Sequence, residues 1–98
     1  MKKGYMLEHY GALLDSPEAL LEGLKLETAE EVCRMMEKAR LSRAELARLM
    51  GVSKAHVTQM LSGSRNFTLE SLAKIAWHCG YDLHFRAVRH TQPGTQKR

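Results

Sequence analysis

Apolar side chains along this 98-residue chain recur at the three- and four-residue spacing of helices, then switch to strict alternation near the C-terminus. Met6, Tyr10, Leu13 and Leu14 stand at i, i+4, i+7 and i+8 and predict a short amphipathic helix over residues 5–14. Asp15-Ser16-Pro17-Glu18 breaks it and starts another, with Ser16 as N-cap and Pro17 at the first helical position. Leu20, Leu21 and Leu24 continue the apolar stripe. Gly23 and Thr28 lower helix propensity and leave open whether the chain runs unbroken into the next helix. Thr28 with Glu31 has the spacing of a capping box and predicts a helix reaching about Arg40, with Ala29, Val32, Cys33 and Met36 on its inner face. Ser42 with Glu45 repeats that pattern and opens a helix ending near Met50, where Gly51 stops it.

Ser53 caps a third helix over residues 54–61, stopped by Gly63, and Thr68 caps a fourth over residues 69–79, stopped by Gly80. Leu69, Leu72, Ala73 and Ala76 form the expected buried stripe of that fourth helix. Beyond Gly80 the period becomes two: Tyr81, Leu83, Phe85 and Ala87 alternate with Asp82, His84, Arg86 and Val88, as in a half-buried strand. A lone strand cannot satisfy its backbone groups, and the simplest partner is its own copy across a two-fold axis. Tyr81, Leu83 and Phe85 are therefore the candidate dimerisation residues. Residues 89–98 are polar, contain Gly and Pro, and read as a disordered basic tail.

Charge adds a second axis to this picture. Residues 1–33 hold three Lys/Arg against seven Asp/Glu, whereas residues 34–98 hold twelve against four. An acidic head before a basic body predicts that the body binds a polyanion and that the head does something else. The composition, 44% hydrophobic and 27% charged, is that of one small soluble domain whose core is modest enough to gain from a partner. No purely apolar run exceeds three residues, as in Ala12-Leu13-Leu14, far short of the roughly 20 residues that span a bilayer. Lys2 and Lys3 begin like a signal peptide, but Glu8 and His9 interrupt any apolar stretch behind them, so a cytoplasmic protein is expected.

The informative stretch is Arg43 to Met60, RAELARLMGVSKAHVTQM. Two short helices meet at a tight turn: Ala47 supplies a methyl where steeply crossed helices come closest, and Gly51 tolerates a left-handed backbone. Leu46, Met50, Val52, Val57 and Met60 fill the wedge beneath them. The outer face of the second helix carries Lys54, Ala55, Thr58 and Gln59, which are short or polar. This stretch, extended to LSRAELARLMGVSKAHVTQMLSG, resembles the helix-turn-helix of the Xre/Cro family of phage-type repressors, and the likeness covers about residues 28–88. It implies an all-α, lambda repressor-like bundle, here with extra N-terminal helices and a short C-terminal β-strand. The implied division is an N-terminal helical extension over residues 1–27 and a DNA-binding domain over residues 28–88.

Carried over residue by residue, the resemblance sets Lys54, Ala55 and Gln59 at the family's base-contacting positions, with Thr58 close by. In a major groove about 12 Å wide, Lys54 would donate to guanine, Gln59 would pair with adenine and Ala55 would touch a thymine methyl. Ser42, Arg43, Ser53, Ser64, Arg65 and Asn66 fall where the family contacts phosphates. His56 either reaches a phosphate as well or is a solvated helix position.

The implied function is a sequence-specific transcriptional regulator, a repressor that binds double-stranded operator DNA as a homodimer on an inverted repeat. The N-terminal extension, helix-turn-helix and terminal strand also resemble Xre-type antitoxins, in which the acidic, Leu-bearing segment 1–30 would cover a toxin protein while the other domain autoregulates the operon. A plain extra helical layer is the alternative role of that segment. No cofactor and no metal are expected: Cys33, Cys79, His78 and His84 lack ligand spacing, and both cysteines lie on apolar helix faces as core thiols. No Gly-rich phosphate loop, nucleophile motif or paired carboxylates point to an enzyme. Trp77 and Phe67 are expected as packing residues, and Met35, Met36, Met50 and Met60 as core fillers.

Overall fold

The fold was obtained as a computed structural model, which describes residues 16–89. Ser16 lies in extended backbone and its hydroxyl accepts from the Ala19 N–H at 3.0 Å, so the chain enters α1 (Pro17–Ala39) with one otherwise orphaned donor satisfied. Ser42 and Glu45 close the reciprocal bonds of a capping box around the start of α2 (Arg43–Met50). Ser53 caps α3 (Lys54–Met60) and Thr68 caps α4 (Leu69–Cys79), each through a side-chain oxygen that accepts an N–H three residues on. Every helix start among the described residues is thus written in a Ser or Thr. No helix of these residues is long and apolar enough to cross a membrane.

The core gathers one face of each helix. Val32, Met35 and Met36 from α1 meet Leu46 and Ala47 from α2, Val57 and Met60 from α3, and Leu72, Ile75, Ala76 and Cys79 from α4. Helix α2 packs on both α3 and α4, and α4 on α1. Leu41, Met50, Val52, Leu61 and Phe67 seal the edges of this cluster.

Several expectations are corrected. The long helix is one element: α1 passes through Gly23 and Thr28 without a break, and no separate helix starts at Thr28. A cap at Thr28 would serve N–H groups that an unbroken helix already bonds to carbonyls one turn back. The roughly 1 kcal/mol that Gly23 costs is offset by burying Ala29, Val32, Met35 and Met36 further along. The helix expected over residues 5–14 and the tail from His90 lie outside the described residues. Cys33 is exposed and Met35 takes its place inside, so of the two thiols only Cys79 is buried. On α4 the inward stripe is Leu72, Ile75, Ala76 and Cys79, while Leu69 and Ala73 face outward and Trp77 is 80% exposed.

The C-terminal strand is not formed. Residues 81–89 run without turn, bend or ladder. Tyr81 donates its N–H to the Ala76 carbonyl at 2.9 Å as part of the α4 cap, and beyond it no backbone hydrogen bond is made among the described residues. The period-two pattern is only partly used: Tyr81 and Leu83 pack against the core, with the Arg34 guanidinium 5.7 Å from the centre of the Tyr81 ring, whereas Phe85 stays in solvent. A strand needs a second strand, and the described residues contain none.

Two left-handed residues end the helices that flank the first turn. Gly51 closes α2 at φ 73°, with its N–H capped by α2 carbonyls and no heavy atom within 4 Å of where a Cβ would stand, so its requirement is conformational alone. Arg40 closes α1 at φ 59° in the same conformation but carries a side chain. Gly51→Ala is therefore expected to lower unfolding free energy by about 1 kcal/mol, and Arg40→Gly to raise it by up to about 1 kcal/mol, both read from urea denaturation midpoints.

Candidate nucleic-acid interface

Helix α3 owes its orientation to its buried side. Val57 is fully buried and Met60 nearly so, both in the cluster that holds Leu46 and Ala47 of α2, and this turns Lys54, Ala55, Thr58 and Gln59 outward. Lys54 and Thr58, like Ala55 and Gln59, are one helical turn apart, so the four make a single exposed face. His56 is half-buried at the edge of that face.

Two arginines from outside α3 reach this face. Arg43, the first residue of α2, donates from Nη1 to Thr58 Oγ1 at 3.5 Å. Arg65, in the loop between α3 and α4, donates from Nη1 to Gln59 Oε1 at 3.3 Å. Three segments separate in sequence are thereby joined at one surface carrying Lys54, Arg43 and Arg65. No acidic residue occupies the first turn of α3.

The remaining candidate residues surround it with less direct connection. Ser42 and Ser53 are exposed, and their hydroxyl oxygens are engaged as N-caps, accepting from the N–H groups of Glu45 at 3.1 Å and His56 at 3.0 Å. Ser64 and Asn66 are exposed in the loop after α3. Sequence reasoning passed over Ser62, whose hydroxyl donates to the Gln59 carbonyl and lies 2.8 Å from the Ser64 hydroxyl, fastening that loop to the end of α3. The Ser-Gly-Ser run after Leu61 was the available signal. Tyr81, Leu83 and Phe85 lie in the segment after α4 and take no part in the hydrogen bonds that join this face.

With this geometry in place, comparison with protein-family models matches residues 34–85 to the helix-turn-helix family of the Xre and lambda-repressor type. The chain belongs to that family. Its members are DNA-binding regulators, and so in general terms is this protein. No curated protein and no solved structure gives a significant match. The matched span begins within α1 and ends at Phe85, so it takes in α2, α3 and α4 entire and leaves most of α1, residues 17–33, outside the family's shared helix-turn-helix core.

Among the described residues no group of three or more His, Cys, Asp or Glu could hold a metal ion. Burial pushes the Cys79 thiol up, which keeps it protonated and unreactive inside the helix-turn-helix bundle. The Glu45 carboxylate is held below its ordinary value, first by the Ser42 backbone N–H that donates to it at 2.7 Å and then by the Ser42 hydroxyl. A carboxyl lowered on folding stabilises the fold above its unfolded-state value, and that contribution disappears as pH falls through the folded-state value. The stability advantage of the wild type over Glu45→Ala is accordingly expected to shrink as pH drops through the carboxylate range, measured by urea unfolding at stepped pH.

Proposed function

We propose that this regulator is a repressor that lays α3 in the major groove and reads an operator inverted repeat as a homodimer. The observation that carries the reading is the outward Lys54-Ala55-Thr58-Gln59 face, braced by Arg43 and Arg65. Lys54 donates to guanine O6 and N7, and Ala55 meets a thymine methyl. Gln59 pairs with adenine: its amide N–H reaches N7, and its carbonyl has a second lone pair for N6–H beside the bond from Arg65. Thr58 lies between them and contacts either base edge or backbone.

Arg43, Arg65, Ser42, Ser53, Ser64, Asn66 and His56 hold the phosphates on either side. These contacts set register and supply the salt-dependent part of affinity, whereas the α3 face selects sequence. Two copies bring their α3 helices about 34 Å apart, one duplex turn, through contacts that include Tyr81, Leu83 and Phe85. In this reading residues 28–88 act as the DNA-binding unit and residues 1–27 as an extension to it.

A second reading is favoured by one observation on α1. Its N-terminal half exposes Leu20, Leu21, Leu24 and Leu26 in company with Glu18 and Glu22, with Glu30 exposed one turn beyond Leu26. An antitoxin would use such an acidic, leucine-bearing surface to cover a basic toxin protein while repressing the shared operon. A small basic protein co-purifying at equal stoichiometry from native extract, and lost on Leu20→Asp with Leu24→Asp, distinguishes that reading.

Selection of bound duplexes from a random pool is expected to return a two-fold-symmetric site. Against that site Gln59→Ala costs about 1–3 kcal/mol and relaxes preference at one base position per half-site. Arg43→Ala weakens cognate and random duplexes alike and lowers the slope of log affinity against log salt by about one. Fluorescence anisotropy over a salt series reads both. Equal loss on every sequence for Gln59→Ala means that α3 is not the reading helix.

A further inference from the structure

The segment after α4 is unfinished as a structure. From Asp82 to Arg89 it is exposed except for Leu83, it runs without turn or bend, and its backbone groups make no hydrogen bonds among the described residues. Phe85 and Val88 are 75% and 72% exposed, among the most exposed large apolar side chains of the described residues. Asp82 and Arg86 form no ion pair among the described residues. An apolar, hydrogen-bond-hungry edge of this kind is a template for another strand.

We propose that residues 81–87 pair antiparallel with the same segment of a second copy, in a register centred on His84. The inference rests on the homodimer reading above and adds to it the register and the groups that select it. In an antiparallel pair about a two-fold axis through His84, each residue faces the one equally far on the other side of that centre. Asp82 of each copy then faces Arg86 of the other, giving two opposite-charge pairs on one face. On the opposite face Leu83 meets Phe85 and Tyr81 meets Ala87, twice each, so the exposed phenyl ring is covered by an aliphatic partner.

Neighbouring registers lose these pairings. Centring on Phe85 sets His84 against Arg86 and Asp82 against Val88. Centring on Leu83 opposes Asp82 to His84 and Tyr81 to Phe85, but it leaves Arg86 against Gly80, which closes α4 in the left-handed conformation and gives the arginine no acidic partner. Centres that fall between residues bring the polar face of one segment onto the apolar face of the other, because side chains alternate with a period of two. Self-complementarity in both charge and apolarity therefore singles out His84. A two-stranded ribbon alone is marginal in water, but each strand here is tied down by Tyr81 and Leu83 on its own core.

The test is sedimentation of the full chain over a concentration series, with circular dichroism to verify the helices. Asp82→Arg and Arg86→Asp each convert both cross-pairs to like charges and are expected to raise the dimer dissociation constant at least about tenfold. The double variant Asp82→Arg with Arg86→Asp restores opposite pairing and is expected to return it close to the wild-type value. His84→Cys in a Cys33→Ser background is expected to form a disulfide-linked dimer under air, because opposed residues in an antiparallel pair have Cα atoms roughly 4.5–5.5 Å apart, within disulfide reach. A wild-type dimer indifferent to the single charge reversals, or not rescued by the double, overturns the register and leaves the homodimer standing. A wild type that stays monomeric at every concentration, and on operator DNA, overturns both.

Discussion

The contact on which the remaining structure depends is the wedge between α2 and α3. Ala47 and Leu46 on one helix and Val57 on the other are buried at the place where the two meet, and Gly51 lets the chain turn sharply enough to bring them there. A larger side chain at Ala47 would force the helices apart, since a close-packed interior has little slack for added volume. α3 has seven residues and cannot persist as an isolated helix. Its existence, and the direction in which its polar face looks, are consequences of what lies beneath it.

That dependence explains how so short an element could serve as the reading head that the proposed function requires. Recognition of base edges needs donors and acceptors held in a fixed frame, and α3 is fixed on its buried side by Val57 and Met60, at its start by the Ser53 cap and at its end by Ser62. The arginines act differently. Arg43 and Arg65 lie on other segments, yet each donates to a side chain of the exposed face, so a positive charge stands next to Thr58 and another next to Gln59. In the proposed function, positioning by cations and selection by neutral polar groups would be combined in one surface, the division of labour that duplex recognition requires.

The first half of α1 and the segment after α4 share a different condition. Both expose apolar side chains, leucines in one case and Phe85 with Val88 in the other, and both lie at the margins of the bundle. The core of a domain this small closes around four helix faces, and the parts that project beyond it are available for contact with other molecules. Trp77, expected inside and found 80% exposed, belongs to the same class, one turn before the segment that the self-pairing would complete.

Local chemistry decided much of this protein in advance. Ser42 with Glu45, Ser53, Thr68, Gly51 and Gly80 mark helix ends because capping and left-handed closure depend only on a residue and its near neighbours, and each was legible where it stands. The outward face of α3 was legible for a similar reason, since a 3.6-residue period separates buried from exposed positions on a short helix. Features that depended on distant partners were not. Thr28 carries a capping pattern that a continuous helix leaves unused, and Cys33 and Met35 exchange roles according to how α1 is rotated against the bundle. The alternation after Gly80 is a real strand pattern in a chain that offers no second strand among its described residues. Caps and periods are written within a few residues, but helix rotation, strand pairing and the meeting of Arg43 with Thr58 or Arg65 with Gln59 come into being only when separate segments are packed together.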